Sequence, residues 1–280
     1  MSFPRKINRT EENSEVLAYY NQQKQFLSYE GKGLCICEKK IFEKYLSSNH
    51  TILDIGCYVG RVSFVLCRQV SNVTGIDVSD ESIKEAQRIQ EKNGIQNTTF
   101  LCASATNIPF SNSTFDAVLF PYNTLECIPG TEQRKKSLEE ALRVMKQDGN
   151  VLFSIHNKFF WKYAILIMVY DGIRLISRIH IRVGIFVVRC LRYWFPFISE
   201  TILISERGSL IEKKENMKTE FPVFFYSKRG IQKLLKHVGF TLIEIIPIQD
   251  HNPYSEEGLA ADILEKKSLW QIPGYYVIAQ

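Results

Sequence analysis

Between Thr51 and Ile155 the chain alternates short apolar runs with longer amphipathic stretches, and that rhythm narrows the fold more than any other feature. Thr51-Ile52-Leu53-Asp54-Ile55-Gly56 is apolar, β-branched and ends in glycine, which predicts a strand buried on both faces. A helix from about Gly60 to Val70 follows. The pattern continues with a strand at Val73–Asp77, a helix at Glu81–Asn93 stopped by Gly94, a strand at Thr98–Cys102 and a turn around Pro109. A strand at Phe115–Phe120, a helix at Glu132–Lys146 and a strand at Gly149–Ile155 complete the run. Strands joined through helices predict a parallel sheet covered on both faces.

The flanks read differently. Residues 1–12 are polar without periodicity, then Val16, Leu17, Tyr20, Phe26 and Leu27 recur at helical spacing, and Leu34 to Leu46 repeat the pattern. Two helices are therefore expected before the first strand. After His156 the rhythm breaks for about fifty residues. It resumes with a helix over Tyr226–Gly239, a strand at Phe240–Pro247 and a strand at Gly274–Ala279. The expected fold class is α/β, a doubly wound, seven-stranded, mostly parallel sheet with N-terminal helices and a helical insertion. The expected divisions are 1–48 for a tail and helical cap, 49–156 for a ligand-binding core, 157–222 for an apolar insertion and 223–280 for the far part of the sheet. At 280 residues with 45% hydrophobic side chains, the chain can bury one substantial core.

Ligands of open α/β sheets bind where strand carboxyl ends meet helix amino ends, because backbone N–H groups and helix dipoles converge there. Gly56 and Gly60 fall at that turn, where a missing Cβ lets backbone approach a ligand closely. Asp77 ends the second strand, 23 positions after Asp54, and is placed to accept both hydroxyls of a ribose. The pair suggests an adenosine-containing cofactor. A dinucleotide site usually reads G-x-G-x-x-G. Here Gly56-Cys57-Tyr58-Val59-Gly60 replaces it, and Asp54 two residues upstream would repel a pyrophosphate while suiting the cationic amino group of a methionine moiety.

Several ordered segments now carry a specific resemblance. Ile52–Gly60, Gly75-Ile76-Asp77-Val78-Ser79, Ala103–Phe110, Phe115-Asp116-Ala117-Val118 and Leu138–Ile155 resemble the Rossmann-like core of class I S-adenosylmethionine (SAM)-dependent methyltransferases. The resemblance implies that Asp54, Gly56, Cys57 and Gly60 contact the methionine part, Asp77 and Val78 the ribose and adenine, and Ser104 and Ala105 the adenine amino group. It implies Tyr122 and Asn123 near the cofactor after the fourth strand. Two positions depart from the family pattern: Tyr58 stands where many members have glycine, and Ser104 where an aspartate often accepts from adenine. A serine oxygen accepts the same bond without charge assistance.

For the acceptor, His156 is the candidate general base, because it follows the fifth strand at its carboxyl edge. Tyr19, Tyr20, Tyr29 and Tyr226 are candidate pocket-closing residues, with His251 and Tyr254 behind them. Residues 158–195 are apolar, aromatic and basic at once, with net charge +6 against −1 for the remainder of the chain. No run there reaches the eighteen or so apolar residues that crossing a bilayer requires. A lid over an apolar substrate, a self-packed helical lobe and attachment to an anionic membrane surface all suit such a stretch. The expected acceptor is a small or medium-sized, partly apolar molecule methylated at oxygen or nitrogen, in a cytoplasmic protein, with peripheral membrane contact through 158–195 left open. A nicotinamide oxidoreductase is disfavoured by the glycine spacing, and a noncatalytic SAM-fold protein is the third reading. Phe120-Pro121-Tyr122-Asn123 only superficially matches the motif of nucleic-acid methyltransferases, so a nucleic-acid acceptor, like a protein acceptor, stays an alternative to the small molecule. The seven cysteines read as reduced thiols, and Cys35-Ile36-Cys37 is too closely spaced for the usual zinc pattern.

Overall fold

The computed structural model of the chain describes residues 33–157, 209–212, 221–248 and 274–280. Helix α1 (Ile36–Tyr45) leads into strand β1 (Thr51–Ile55), helix α2 (Ser63–Leu66) and β2 (Asn72–Asp77). Helix α3 (Asp80–Lys92), β3 (Thr98–Cys102) and β4 (Phe115–Phe120) follow, then α4 (Thr124–Cys127), α5 (Thr131–Val144) and β5 (Met145–His156). A ribbon of β6 (Ser209–Glu212) and β7 (Phe221–Phe224) precedes α6 (Lys228–Val238), β8 (Ile243–Ile248) and β9 (Gly274–Ala279).

The main sheet has seven strands in the order β3-β2-β1-β4-β5-β9-β8. β1 pairs in parallel with both β2 and β4, so strand order reverses between β1 and β4 and opens a crevice at their carboxyl ends. β9 runs antiparallel between β5 and β8. This is the doubly wound, mostly parallel sheet expected.

Alternation along each strand divides the core between the two faces. Leu53, Val118, Phe153 and Val277 pack with Leu138 and Ala141 of α5 and Ile231 and Leu235 of α6. Ile52, Leu119, Leu152 and Tyr276 pack on the opposite face with Ile41 and Phe42 of α1 and Leu66 of α2. α3 buries Ile83, Ala86 and Ile89 on one stripe, and Ser79 caps it by accepting from Ser82 N at 3.2 Å.

Some expectations need correction. The helix expected from Gly60 to Val70 is regular only over Ser63–Leu66, with turns on either side. β5 starts at Met145 instead of Gly149, because Met145 already pairs with Phe115 across an irregular register. The strand expected from Phe240 begins at Ile243, as Thr241 and Leu242 instead bond the end of the chain at Gln280. The described part of the 157–222 insertion is β-ribbon, where helix was expected. The N-terminal helix around Val16–Leu27 and residues 158–195 lie outside the described residues.

Candidate functional site

At the crevice, β1 turns sharply after Ile55. Gly56 has φ +70°, and an added Cβ would collide with Thr124 at the start of α4. Gly60 has φ +89°, and a Cβ there would lie 2.6 Å from the Phe64 ring. Both glycines are thus required by backbone conformation and by close approach. Tyr58 lies between them at φ 53°, also left-handed, which is the physical reason a glycine suits that position. Its backbone N–H donates to Asp77 Oδ2 at 3.0 Å, while Ser79 N–H donates to Oδ1 at 2.9 Å. The carboxylate is held at the end of β2, and burial raises its pKa although the backbone donors of Ser79, Tyr58 and Val78 work against that shift.

Asp54 is fully buried. Its Oδ2 accepts from Ser63 Oγ at 2.6 Å, and its Oδ1 has no hydrogen-bond partner. Burial pushes its pKa up to about 7. An orphaned buried carboxylate oxygen beside a glycine turn fits an incoming cationic donor, since satisfying it removes a desolvation penalty.

A cavity of about 300 Å³ opens against this turn. Gly56, Tyr58, Asp77, Val78, Ser104 and Ala105 line it, and Thr124 of α4, Ile128 just after it and Gln133 of α5 close it. Five of the proposed cofactor residues therefore meet at one cavity. Cys57 and Gly60 lie buried behind the turn. Ser104 Oγ is already engaged with Thr106, at 2.9 Å from its hydroxyl and 3.2 Å from its backbone N–H.

Tyr122 and Asn123 follow β4 at φ 51° and 63°, so three of the four described non-glycine residues with positive φ sit at this edge of the sheet. The Tyr122 ring is half exposed beneath the Arg61 guanidinium, 5.3 Å from its centroid. Asn123 bonds His156 through Nδ2···Nε2 at 3.2 Å. His156 also meets Glu126, with Nδ1···Oε2 at 2.5 Å and its backbone N–H donating to Oε1 at 2.9 Å. Its ring rests against Phe225 at 4.9 Å. Tyr226 is buried in the main core facing Glu126 and, like Tyr122, Asn123 and His156, is not part of the cavity wall. Tyr19, Tyr20, Tyr29, His251 and Tyr254 lie outside the described residues.

Two features escaped the sequence reading. Glu126 is fully buried on a four-residue helix too short to show periodicity. The Arg61–Glu38 ion pair is bidentate at 2.7 Å and ties α1 to the cofactor turn. Glu38 three residues after the Cys35 cap was the only local signal for it.

The strand order, the glycine turn and the acid ending β2 define the class I, SAM-dependent methyltransferase type of domain. Residues 52–149 match the model of the methyltransferase domain family. An uncharacterised methyltransferase of Bacillus subtilis is 27% identical over 137 residues, covering 49% of this chain and 51% of that protein. The chain thus spans about half the length of the curated relatives it matches. Among solved structures, a SAM-dependent methyltransferase from Methanosarcina mazei superposes with a TM-score of 0.58 at 20% identity, covering 86% of this chain and 96% of the other. The 1,6-didemethyltoxoflavin-N1-methyltransferase of Burkholderia thailandensis, with S-adenosylhomocysteine bound, superposes with a TM-score of 0.60 at 11% identity, covering 100% and 92%. These likenesses establish the fold.

Proposed function

We propose that the protein transfers the methyl group of SAM to oxygen or nitrogen of a small or medium-sized, partly apolar organic acceptor. The observation that carries this reading is the cavity at the β1/β4 reversal, where the glycine turn, Asp77 and the Ser104–Ala105 loop converge, with the orphaned oxygen of the buried Asp54 two residues before Gly56. SAM bound there supplies an electrophilic methyl group on a sulfonium. Asp54 with Gly56, Cys57 and Gly60 would hold the methionine portion, Asp77 the ribose, and Val78, Ser104 and Ala105 the adenine. Tyr122 and Asn123 would border the reacting end, and His156 would take the acceptor's proton. Alignment is the main demand of a direct displacement, and proton removal the second.

A small acceptor is supported by the Burkholderia neighbour, whose structure has 1,6-didemethyltoxoflavin and S-adenosylhomocysteine bound. The apolar, basic stretch 158–195 supports an apolar portion and would act as its lid. Among the described residues no helix is long and apolar enough to cross a membrane. Contact with a membrane surface remains a separate role for that stretch: the lid reading fails if a folded protein lacking 160–200 keeps its turnover and substrate range.

The test is calorimetric titration with SAM, S-adenosylhomocysteine and NAD on the wild type and Asp77→Ala. The first two should bind the wild type and lose about ten- to a hundredfold in affinity in the variant, the worth of one or two charge-assisted hydrogen bonds. Binding of NAD alone would overturn the cofactor assignment, and binding of none would favour a noncatalytic protein on this fold.

A further inference from the structure

His156 is a base only if one ring nitrogen keeps its lone pair, and the ring's surroundings decide which one. Glu126 places Oε2 2.5 Å from Nδ1 and Oε1 2.9 Å from the backbone nitrogen of the same residue. When Glu126 is ionised its carboxylate accepts, so Nδ1 carries the proton. On the other side of the ring, the Asn123 amide nitrogen lies 3.2 Å from Nε2 and donates to its lone pair. Asn123 is itself fixed, its backbone N–H donating to Ser154 Oγ at 2.9 Å. The preceding residue Tyr122 and Asn123 both adopt left-handed backbone, and the next residue, Thr124, lines the cofactor cavity.

We propose that Glu126 is the positioning residue of the transfer, fixing the proton of His156 on Nδ1 so that Nε2 is left as the accepting atom, held by Asn123 next to the cavity-lining Thr124. This rests on the methyltransferase reading for its chemistry. The proton leaving the acceptor's oxygen or nitrogen goes to Nε2. The pair so freed forms the bond to the methyl carbon, and the methyl–sulfur pair returns to sulfur, leaving a neutral thioether. The ring then carries a positive charge, which the Glu126 carboxylate stabilises. Asn123 marks the lone pair that the acceptor's O–H or N–H would take over.

Glu126 is built for this and not for the surface. It is 0% exposed, and the groups facing it are His156 from β5, Arg134 from α5 and Tyr226 ahead of α6. Burial raises its pKa to about 7, which the His156 bond opposes. A purely structural acid capping the end of β5 needs only an acceptor for the backbone N–H of His156, and a glutamine side chain supplies that.

The test is nitrogen-15 NMR of the histidine rings of the full chain across pH, for wild type, Glu126→Gln and Glu126→Asp, with His156→Gln to assign the resonance. Neutral wild-type His156 should show a protonated Nδ1 and an unprotonated Nε2. Glu126→Gln should weaken ring protonation about tenfold, one pH unit of midpoint, and Glu126→Asp should restore more than half of that shift. A wild-type proton on Nε2, or a change below threefold in Glu126→Gln, would overturn the proposal. Once His156→Gln has assigned the resonance, the wild-type tautomer is read without any change at Glu126, so a misfolded Glu126 variant leaves that arm intact. A parallel titration with S-adenosylhomocysteine separates the two readings, since absence of binding would sink the cofactor assignment without altering the tautomer.

Discussion

At the scale of single residues, Asp54 and Gly60 carry the most testable chemistry. Asp54 titrates near 7 in the folded protein against an ordinary value near 3.8. Between those values the folded state keeps a proton the unfolded chain has lost, so this group makes stability fall as pH rises from about 4 to 7. A cationic amino group beside Oδ1 reverses the preference and favours the ionised acid. Affinity for S-adenosylhomocysteine should therefore rise with pH up to about 7, by at most about tenfold per unit, and level off above. Calorimetry from pH 5.5 to 8 measures this, and Asp54→Asn should flatten the profile. Gly60→Ala puts a side chain at φ +89° against the Phe64 and Phe100 rings. It should cost about 2 kcal/mol in urea unfolding and weaken cofactor binding as well.

At the scale of elements, a nearly buried ion pair ties α1 to the turn after β1, beside the apolar packing of Ile41 and Phe42. Arg61 and Glu38 are both nearly buried, and Glu38 also closes the cap of α1 through Cys35 N–H at 2.8 Å. Removing the negative partner strands a guanidinium away from water, so Glu38→Gln should destabilise the protein by about 3 kcal/mol in chemical denaturation. High salt should not mimic the effect, since a buried pair is screened little. Long elements with clear periodicity were legible in the chain. α3 is bounded by the Ser79 cap and Gly94, and β1 to β4 fall within one residue of their expected limits at either end. α4 and the β6–β7 ribbon were not, because four residues are too few for either a helical or an alternating pattern to emerge.

At the scale of the whole molecule, cofactor binding joins β1, β2, α4 and the loop after β3 at one crevice, so a ligand there should stabilise the fold as a unit. S-adenosylhomocysteine at a hundred times its Kd should add about 2.7 kcal/mol, a rise in Tm of about 5 °C for a chain of this size. Differential scanning fluorimetry measures it, and Asp77→Ala should abolish most of the shift. The alternation of strands and helices, the glycine turn and the acids Asp54 and Asp77 were all determined by the sequence alone. They depend on local conformation and on periods of two and 3.6 residues, which neighbouring residues express without reference to the rest of the chain. The tertiary structure alone decided that Glu126 meets His156 thirty positions away, that Asn123 takes the other face of that ring, and that Arg61 reaches back to Glu38. Such pairs join different elements, and no local pattern announces them. They form only when the sheet brings strand ends together and burial removes the water that would otherwise satisfy each charge.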